Sequence, residues 1–228
     1  LSDVMPTLEN VGLRVLEQVA YPIEGPTGLR GIDVFHVQNA GGAPLDVERD
    51  RAHLVPALER LLQGGVNTDA LNQLVLSVGL TLREVELLRA YQRYYAQIAV
   101  ASSRAFIGTT LTHNPAVASA LLTAFRVRHD PNLPGVTTPE ERSEATRSAD
   151  EAVQAALADV ASLAEDAVLR GLHDLIAATV RSNYYLTEGA IALKIASRRV
   201  ATMPEPRPLF EIGVSGYGLE GTHLRGGR

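Results

Sequence analysis

The chain has 228 residues, 46% hydrophobic and 5% aromatic, so Leu, Ala and Val must build its core, in one large domain or two small ones. A formal net charge of −5, with both signs interspersed, excludes the basic face of a nucleic-acid binder and the acidic excess of a disordered chain. The absence of cysteine excludes disulfides, thiolate metal sites and cysteine nucleophiles, and no run of the sequence reaches the ~18 apolar residues of a membrane helix.

Residues 1–66 read as alternating helix and strand. Ser2 or Asp3 is placed to cap a short helix with Val4, Leu8 and Val11 on one side, and Gly12 to end it. Leu13 to Ile23 predicts a strand, Gly25-Pro26-Thr27-Gly28 a turn, and IDVFHV from Ile32 a second strand closed by Asn39-Ala40-Gly41-Gly42. Arg51 to Gln63 predicts a helix with Leu54, Leu58, Leu61 and Leu62 on its apolar side. Helix, strand, strand, helix resembles a βαββαβ unit of the ACT-like plan without its outer strands. Two strands alone are marginal, so the expected first strand precedes Leu1.

Residues 67–186 read as a helical bundle. Thr68 caps a short helix ending at Gly79, and Thr81 with Glu84 is a capping box opening a helix through Gln97. In that helix Leu82, Val85, Leu88, Tyr91, Tyr95 and Ile98 recur at three- and four-residue steps, and Leu87 and Tyr94 widen the stripe. An apolar side so broad predicts a central, buried helix, about 39 Å long if it continues to Phe106. Asn114-Pro115 opens another helix with Val117, Leu121, Leu122 and Phe125 inside, and Asp130 to Gly135 breaks it. Thr138-Pro139-Glu140-Glu141 opens a long polar helix, whose charges from Glu140 to Glu151 read as a solvated face. Ser162 with Glu165 opens the last, with Val168, Leu172, Leu175, Ile176 and Thr179 inside. Such short connections favour antiparallel neighbours.

After Asn183 the pattern changes. Ile191 to Ile195 predicts a strand, the prolines of Met203 to Pro208 an extended connector, and Leu209 to Val214 a second strand. The glycine-rich tail SGYGLEGTHLRGGR reads as open, so the expectation is a domain cut short at Arg228.

Gly216-Tyr217-Gly218-Leu219-Glu220-Gly221 fits the GxGxxG pattern of a dinucleotide loop, but no helix fits behind it and no acidic residue follows at ribose distance, so it reads as a flexible loop. Gly213-Val214-Ser215-Gly216 begins like a nucleophile elbow but is followed by Tyr217 where the last glycine belongs. None of the six histidines pairs with another at metal-ligand spacing. Arg181-Ser182-Asn183-Tyr184-Tyr185 reads equally as a helix C-terminus, with Arg181 complementing the dipole, or as a face turned to another domain. Lys194, the only lysine of the chain, reads as a strand-edge residue.

Three blocks carry a family resemblance: LSDVMPTLENVGLRV at the start, LNQLVLSVGLTLREVELLRAYQRYYAQ in the middle, and RSNYY to the end, with MPEPRPLFEI and EGTHLRGGR strongest. They resemble the large bacterial class of NAD-dependent glutamate dehydrogenases. The resemblance implies a parent enzyme that oxidises glutamate with NAD to 2-oxoglutarate and ammonia. Its lysine-bearing substrate site and Rossmann domain would lie beyond Arg228, where arginine stands in place of a common lysine.

The expected fold is therefore mainly α with α+β ends. It comprises a partial ACT-like regulatory domain at 1–66, a helical bundle at 67–186 and the first strands of a truncated catalytic domain at 187–228. No catalytic, cofactor-binding or metal residue is expected in the chain. Arg181, Asn183, Tyr184, Tyr185, Lys194, His223 and Arg225 are expected to contact the catalytic domain. The implied partners are the remainder of the polypeptide and further copies of the parent enzyme, with NAD as the parent's cofactor and a cytoplasmic location. An amino-acid effector would be sought at the glycine-rich turns 25–31 and 39–42. The competing class is a free-standing ACT-like sensor or helical adaptor.

Overall fold

The computed structural model describes residues 4–25, 28–42, 44–99, 102–186 and 189–226. Pro26, Thr27, Arg228 and the Ser2/Asp3 cap lie outside these. A short helix, Val4–Asn10 (α1), leads into two long antiparallel strands, Leu13–Gly25 (β1) and Gly28–Asn39 (β2), paired from Leu13↔Asn39 to Gly25↔Gly28 with an irregularity between Val15 and Glu17. Leu8, Val11 and Leu13 form a small cluster with Leu61 and Leu76, against which Val15, Phe35 and Val37 pack. Only the root of the hairpin is covered in this way.

The next helix, Val47–Gln63 (α2), begins a turn earlier than the periodicity predicts, because Asp46 accepts from Arg49 N. Ala57 and Leu61 are buried, whereas Leu62 is exposed, so its apolar side is narrower than the leucine spacing implies. Asp69, not Thr68, caps the 3₁₀ turn Ala70–Asn72 that precedes α3 (Gln73–Val78).

The central helix is Leu82–Ile98 (α4), and both halves of its Thr81/Glu84 capping box form. It stops at Ile98 instead of continuing to Phe106. Ser103 accepts from Phe106 N and starts a separate helix, Arg104–His113 (α5). Two further helices, Pro115–His129 (α6) and Pro139–Leu157 (α7), lie side by side and are followed by Leu163–Ala178 (α8). Val85, Leu88 and Tyr91 of α4, Leu121 and Phe125 of α6, Val153 of α7 and Leu172 of α8 share one core. Full burial of each such side chain is worth ~1.5–3 kcal/mol.

The solvated reading of α7 fails at Asp150. Both of its oxygens accept from Arg128 at 2.6 Å, and one also meets His173 Nε2 at 2.7 Å. Ser162 caps α8 as expected, but Glu165 reaches Asn114 and His113 across the bundle.

Where helical periodicity places Thr179 inside α8, the chain has already turned into a strand, Thr179–Ser182 (β3). The Thr179 hydroxyl donates to Leu175 O, so it accepts from Tyr91 Oη at 2.8 Å, and the β-branched pair Thr179–Val180 continues as strand. Strands Ile191–Ile195 (β4), Phe210–Gly216 (β5) and Leu219–Arg225 (β6) complete an antiparallel sheet in the order β3-β4-β5-β6. The glycine-rich tail is thus not open up to Arg225: it pairs along β5, and Gly218, at φ +64°, makes the turn. The Met203–Pro208 connector bends at 205–206, where the Glu205–Pro206 peptide is cis, and is not extended.

Candidate functional site

The four-stranded sheet has two faces of different character. The inner face carries Ile191, Leu193 and Ile195 of β4 and Glu211, Gly213 and Ser215 of β5, all buried. It is clasped by one side of α4. Arg93 donates to Ser215 Oγ and Gly216 O, each at 3.0 Å, and Tyr94 Oη donates to Glu211 Oε2 at 2.6 Å. Gln97 donates to Glu220 and accepts from Thr222 on β6, and Arg104 of α5 pairs with Glu220. Gly213 lies so close under the Tyr94 ring that a Cβ there would come within 2.9 Å of it. Burial, and then the Glu211 carboxylate, push the Tyr94 hydroxyl well above its ordinary range.

On the outer face, the strand register aligns Arg181, Lys194, Ile212 and His223 in one row across all four strands. Phe210 and Arg225 form the neighbouring pair, and the Lys194 ammonium sits 4.0 Å from the centre of the Phe210 ring. Arg181, His223 and Arg225 are exposed. Arg181 is therefore on a strand, not at a helix end, and Lys194 is on an interior strand, not at the sheet edge. Among the described residues neither has a carboxylate partner.

Asn183, Tyr184 and Tyr185 lie apart from this row, in the turn after β3. Asn183 donates to Ala190 O and accepts from Ala192 N, tying the turn to β4. Tyr184 stands edge-on to Phe125 of α6 at 5.5 Å and lies under the Arg83 guanidinium of α4. Tyr185 is stacked on Phe125 at 6.3 Å, and burial, with Asp130 next in effect, pushes its hydroxyl up to about 12. These two tyrosines attach the sheet to the helices.

The polar side of α4 extends to the segment before it. Arg89 is almost wholly buried, donating to both oxygens of Asp69, to Asn72 and to Glu86. Asn67 bridges Glu86 and Arg93. Sequence periodicity missed Arg89, Arg93 and Gln97. The available signal was the helix itself, since polar residues on a helix buried on nearly every side must find partners inside the protein.

The GxGxxG run forms strand, turn and strand with exposed β6 side chains, not the strand, loop and helix N-terminus that cradle a pyrophosphate, so these residues do not fit a dinucleotide. No group of three or more His, Asp or Glu suited to a metal occurs among the described residues, nor is any described helix long and apolar enough to cross a membrane. The Asn39–Gly42 turn is closed by Asn39 Oδ1 accepting from Gly41 N, while the 25–31 turn lies partly outside the described residues.

An ACT-like helix–strand–strand–helix unit, a helical body and a clasped antiparallel sheet define a multi-part, mainly helical architecture, and comparison with known proteins shows what it is similar to. Residues 1–50 match the family model for the glutamate dehydrogenase ACT3 domain, and residues 66–131 that for glutamate dehydrogenase helical motif 3. Residues 152–228 match the catalytic domain of bacterial NAD-glutamate dehydrogenase. The whole chain is 35% identical to the NAD-specific glutamate dehydrogenases of Halomonas elongata and Pseudomonas aeruginosa, and 32% identical to that of Mycobacterium tuberculosis. It belongs to the bacterial NAD-glutamate dehydrogenase family and spans 14% of the length of each of these relatives.

Proposed function

We propose that this chain is the regulatory and connecting stretch of an NAD-dependent glutamate dehydrogenase whose parent polypeptide converts L-glutamate to 2-oxoglutarate and ammonia in the cytoplasm. In this reading, 1–66 is the ACT-like regulatory part, 67–186 the helical connector and 187–228 the entry into the catalytic domain, and hydride transfer is done elsewhere in the polypeptide. The clasp of α4 on β5 and β6 supports a connector that hands the position of one part to the next.

The observation that carries the reading is the row Arg181, Lys194, His223. Arg181 and Lys194 stand directly opposite each other on neighbouring strands, where like charges repel, and such a pair on the outer face of the sheet calls for an anionic cover. We assign that cover to carboxylates of the remaining catalytic domain of the same polypeptide. The test is glutamate-dependent NADH formation. The 228-residue chain should show none, and a longer polypeptide including the region after Arg228 should be active. The double charge reversal Arg181→Glu, Lys194→Glu in that longer polypeptide should lower kcat at least tenfold. Glutamate oxidation by the 228-residue chain at a rate near that of the longer protein would refute the connector reading, and an unaffected kcat in the charge reversal would refute the docking row.

A further inference from the structure

Strand β6 is the edge of its sheet, paired only with β5, and all seven of its residues are exposed. Glycines stand at 216, 218 and 221, in and beside the hairpin that forms it. The two-residue turn at Tyr217-Gly218 fixes the near end of that hairpin. Beyond Gly221 the strand has no buried face to hold it, and glycine-rich strands of this kind specify their place weakly.

Polar side chains supply the hold instead. The Gln97 amide, near the C-terminus of α4, spans two residues of β6: its Nε2 donates to Glu220 Oε1 at 3.0 Å, and its Oε1 accepts from Thr222 Oγ1 at 2.7 Å. Arg104, the first residue of α5, pairs with the same Glu220 oxygen, and Arg93 Nε stands 4.0 Å from the other. Had α4 run on to Phe106, Arg104 would lie ~10 Å along the axis from Gln97. The break after Ile98 brings both to one carboxylate. Glu220 and Thr222 are on the inner face, opposite Ser215 and Gly213, while His223 and Arg225 are on the outer face. Because side chains alternate along a strand, an amide that touches both Glu220 and Thr222 also fixes His223 facing outward. Gln97 is exposed and the Arg104 side chain is 53% exposed, so these contacts add little stability, and what they set is position.

We infer that Gln97 and Glu220 are positioning residues for the parent's reaction: their contact holds β6, and with it His223 and Arg225, in the place where the rest of the catalytic domain docks. The inference rests on the connector reading and deepens it, since it names the side chains through which α4 passes its position to the sheet. Neither residue touches substrate; both act through β6. A misplacement of about 1 Å far from the reacting atoms can cost ~100-fold in rate, so a clamp of small energy carries a large kinetic effect.

The test uses Gln97→Glu, which keeps the acceptor for Thr222 and sets a carboxylate against Glu220. Its partner is the swap Gln97→Glu, Glu220→Gln, which rebuilds both hydrogen bonds with the amide on β6 and leaves the net charge unchanged. In the longer polypeptide that includes the region after Arg228, Gln97→Glu should lower kcat about tenfold with KM for NAD unchanged, and the swap should restore kcat to within about threefold of the parent. In the 228-residue chain, Gln97→Glu should speed amide hydrogen exchange across 219–225 while Tm stays within about 2 °C, and the swap should slow the exchange again. An unchanged kcat in Gln97→Glu, a swap that fails to recover it, or a strand whose hydrogen exchange does not respond would each overturn the positioning role. An active longer polypeptide indifferent to Gln97→Glu leaves the connector reading standing. A longer polypeptide without glutamate oxidation removes that reading and the positioning role together, and hydrogen exchange of 219–225 then still reports whether the clamp holds the strand.

Discussion

In the β3–β6 sheet, Ile191, Leu193 and Ile195 point to one face and are at most 2% exposed, whereas in the β1–β2 hairpin Val19, Tyr21, Ile23, Ile32 and Val34 share one face and remain 38–54% exposed. Both sets follow the two-residue alternation of a half-buried strand. The difference lies in what stands opposite. The first sheet meets α4, which brings Tyr94 over Gly213 and hydrogen-bonding side chains onto Glu211, Ser215 and Glu220. The hairpin meets α1 and α2 only near its root. Burial of a strand is thus decided by a covering element fitted to it, and the alternation states only which face is available.

The largest test of this contrast is Arg89→Ala. Arg89 anchors the linker residues Asp69 and Asn72 to α4, between the two sheets. Removing it leaves Asp69, Asn72 and Glu86 without their shared donor. Breaking one partner of a buried ion pair costs ~3–5 kcal/mol, and since Asp69 is 45% exposed the lower end is expected here, about 3 kcal/mol by urea unfolding. A loss below about 1 kcal/mol would mean that the linker is held by its apolar contacts alone. Tyr94→Phe comes next. It deletes one hydroxyl and leaves the buried Glu211 carboxylate without its 2.6 Å donor, which should cost about 2 kcal/mol. If the clasp of α4 on the sheet rests on shape only, that variant will melt like the parent.

The helices were legible in the sequence because their signals are local. Thr81 with Glu84 and Thr138 with Pro139 and Glu141 satisfy helix-end donors within four residues, and the structure shows both boxes closed. Boundaries that depend on distant partners were not legible. Thr179 fits the inner stripe of α8 by periodicity, yet it leaves the helix to pair with Ile195. The tail from Ser215 looks like a loop because glycines interrupt it, and it becomes a strand because β5 offers a partner. The same reason hid the outer row. Arg181, Lys194 and His223 were each noticed singly, but the cross-strand register that aligns them joins residues up to forty-two positions apart.

The smallest expected effect belongs to the hairpin and is the most diagnostic of its nature. Ile32→Thr and Val34→Thr keep the β-branched shape that suits a strand while replacing a methyl-bearing surface with a hydroxyl. Both side chains are about half exposed, at 54% and 50%, so they already meet water in the folded chain and little apolar burial is lost. Each variant should therefore shift stability by no more than ~0.5 kcal/mol. The comparison is sharpened by repeating the melts over a hundredfold range of protein concentration. A melting temperature that rises with concentration in the parent chain but not in the variants would show that copies of the chain cover this face in solution, because association stabilises by mass action. Equal, concentration-independent melts would leave the face uncovered in the chain, with the two sheets separated by the presence of α4 on one of them.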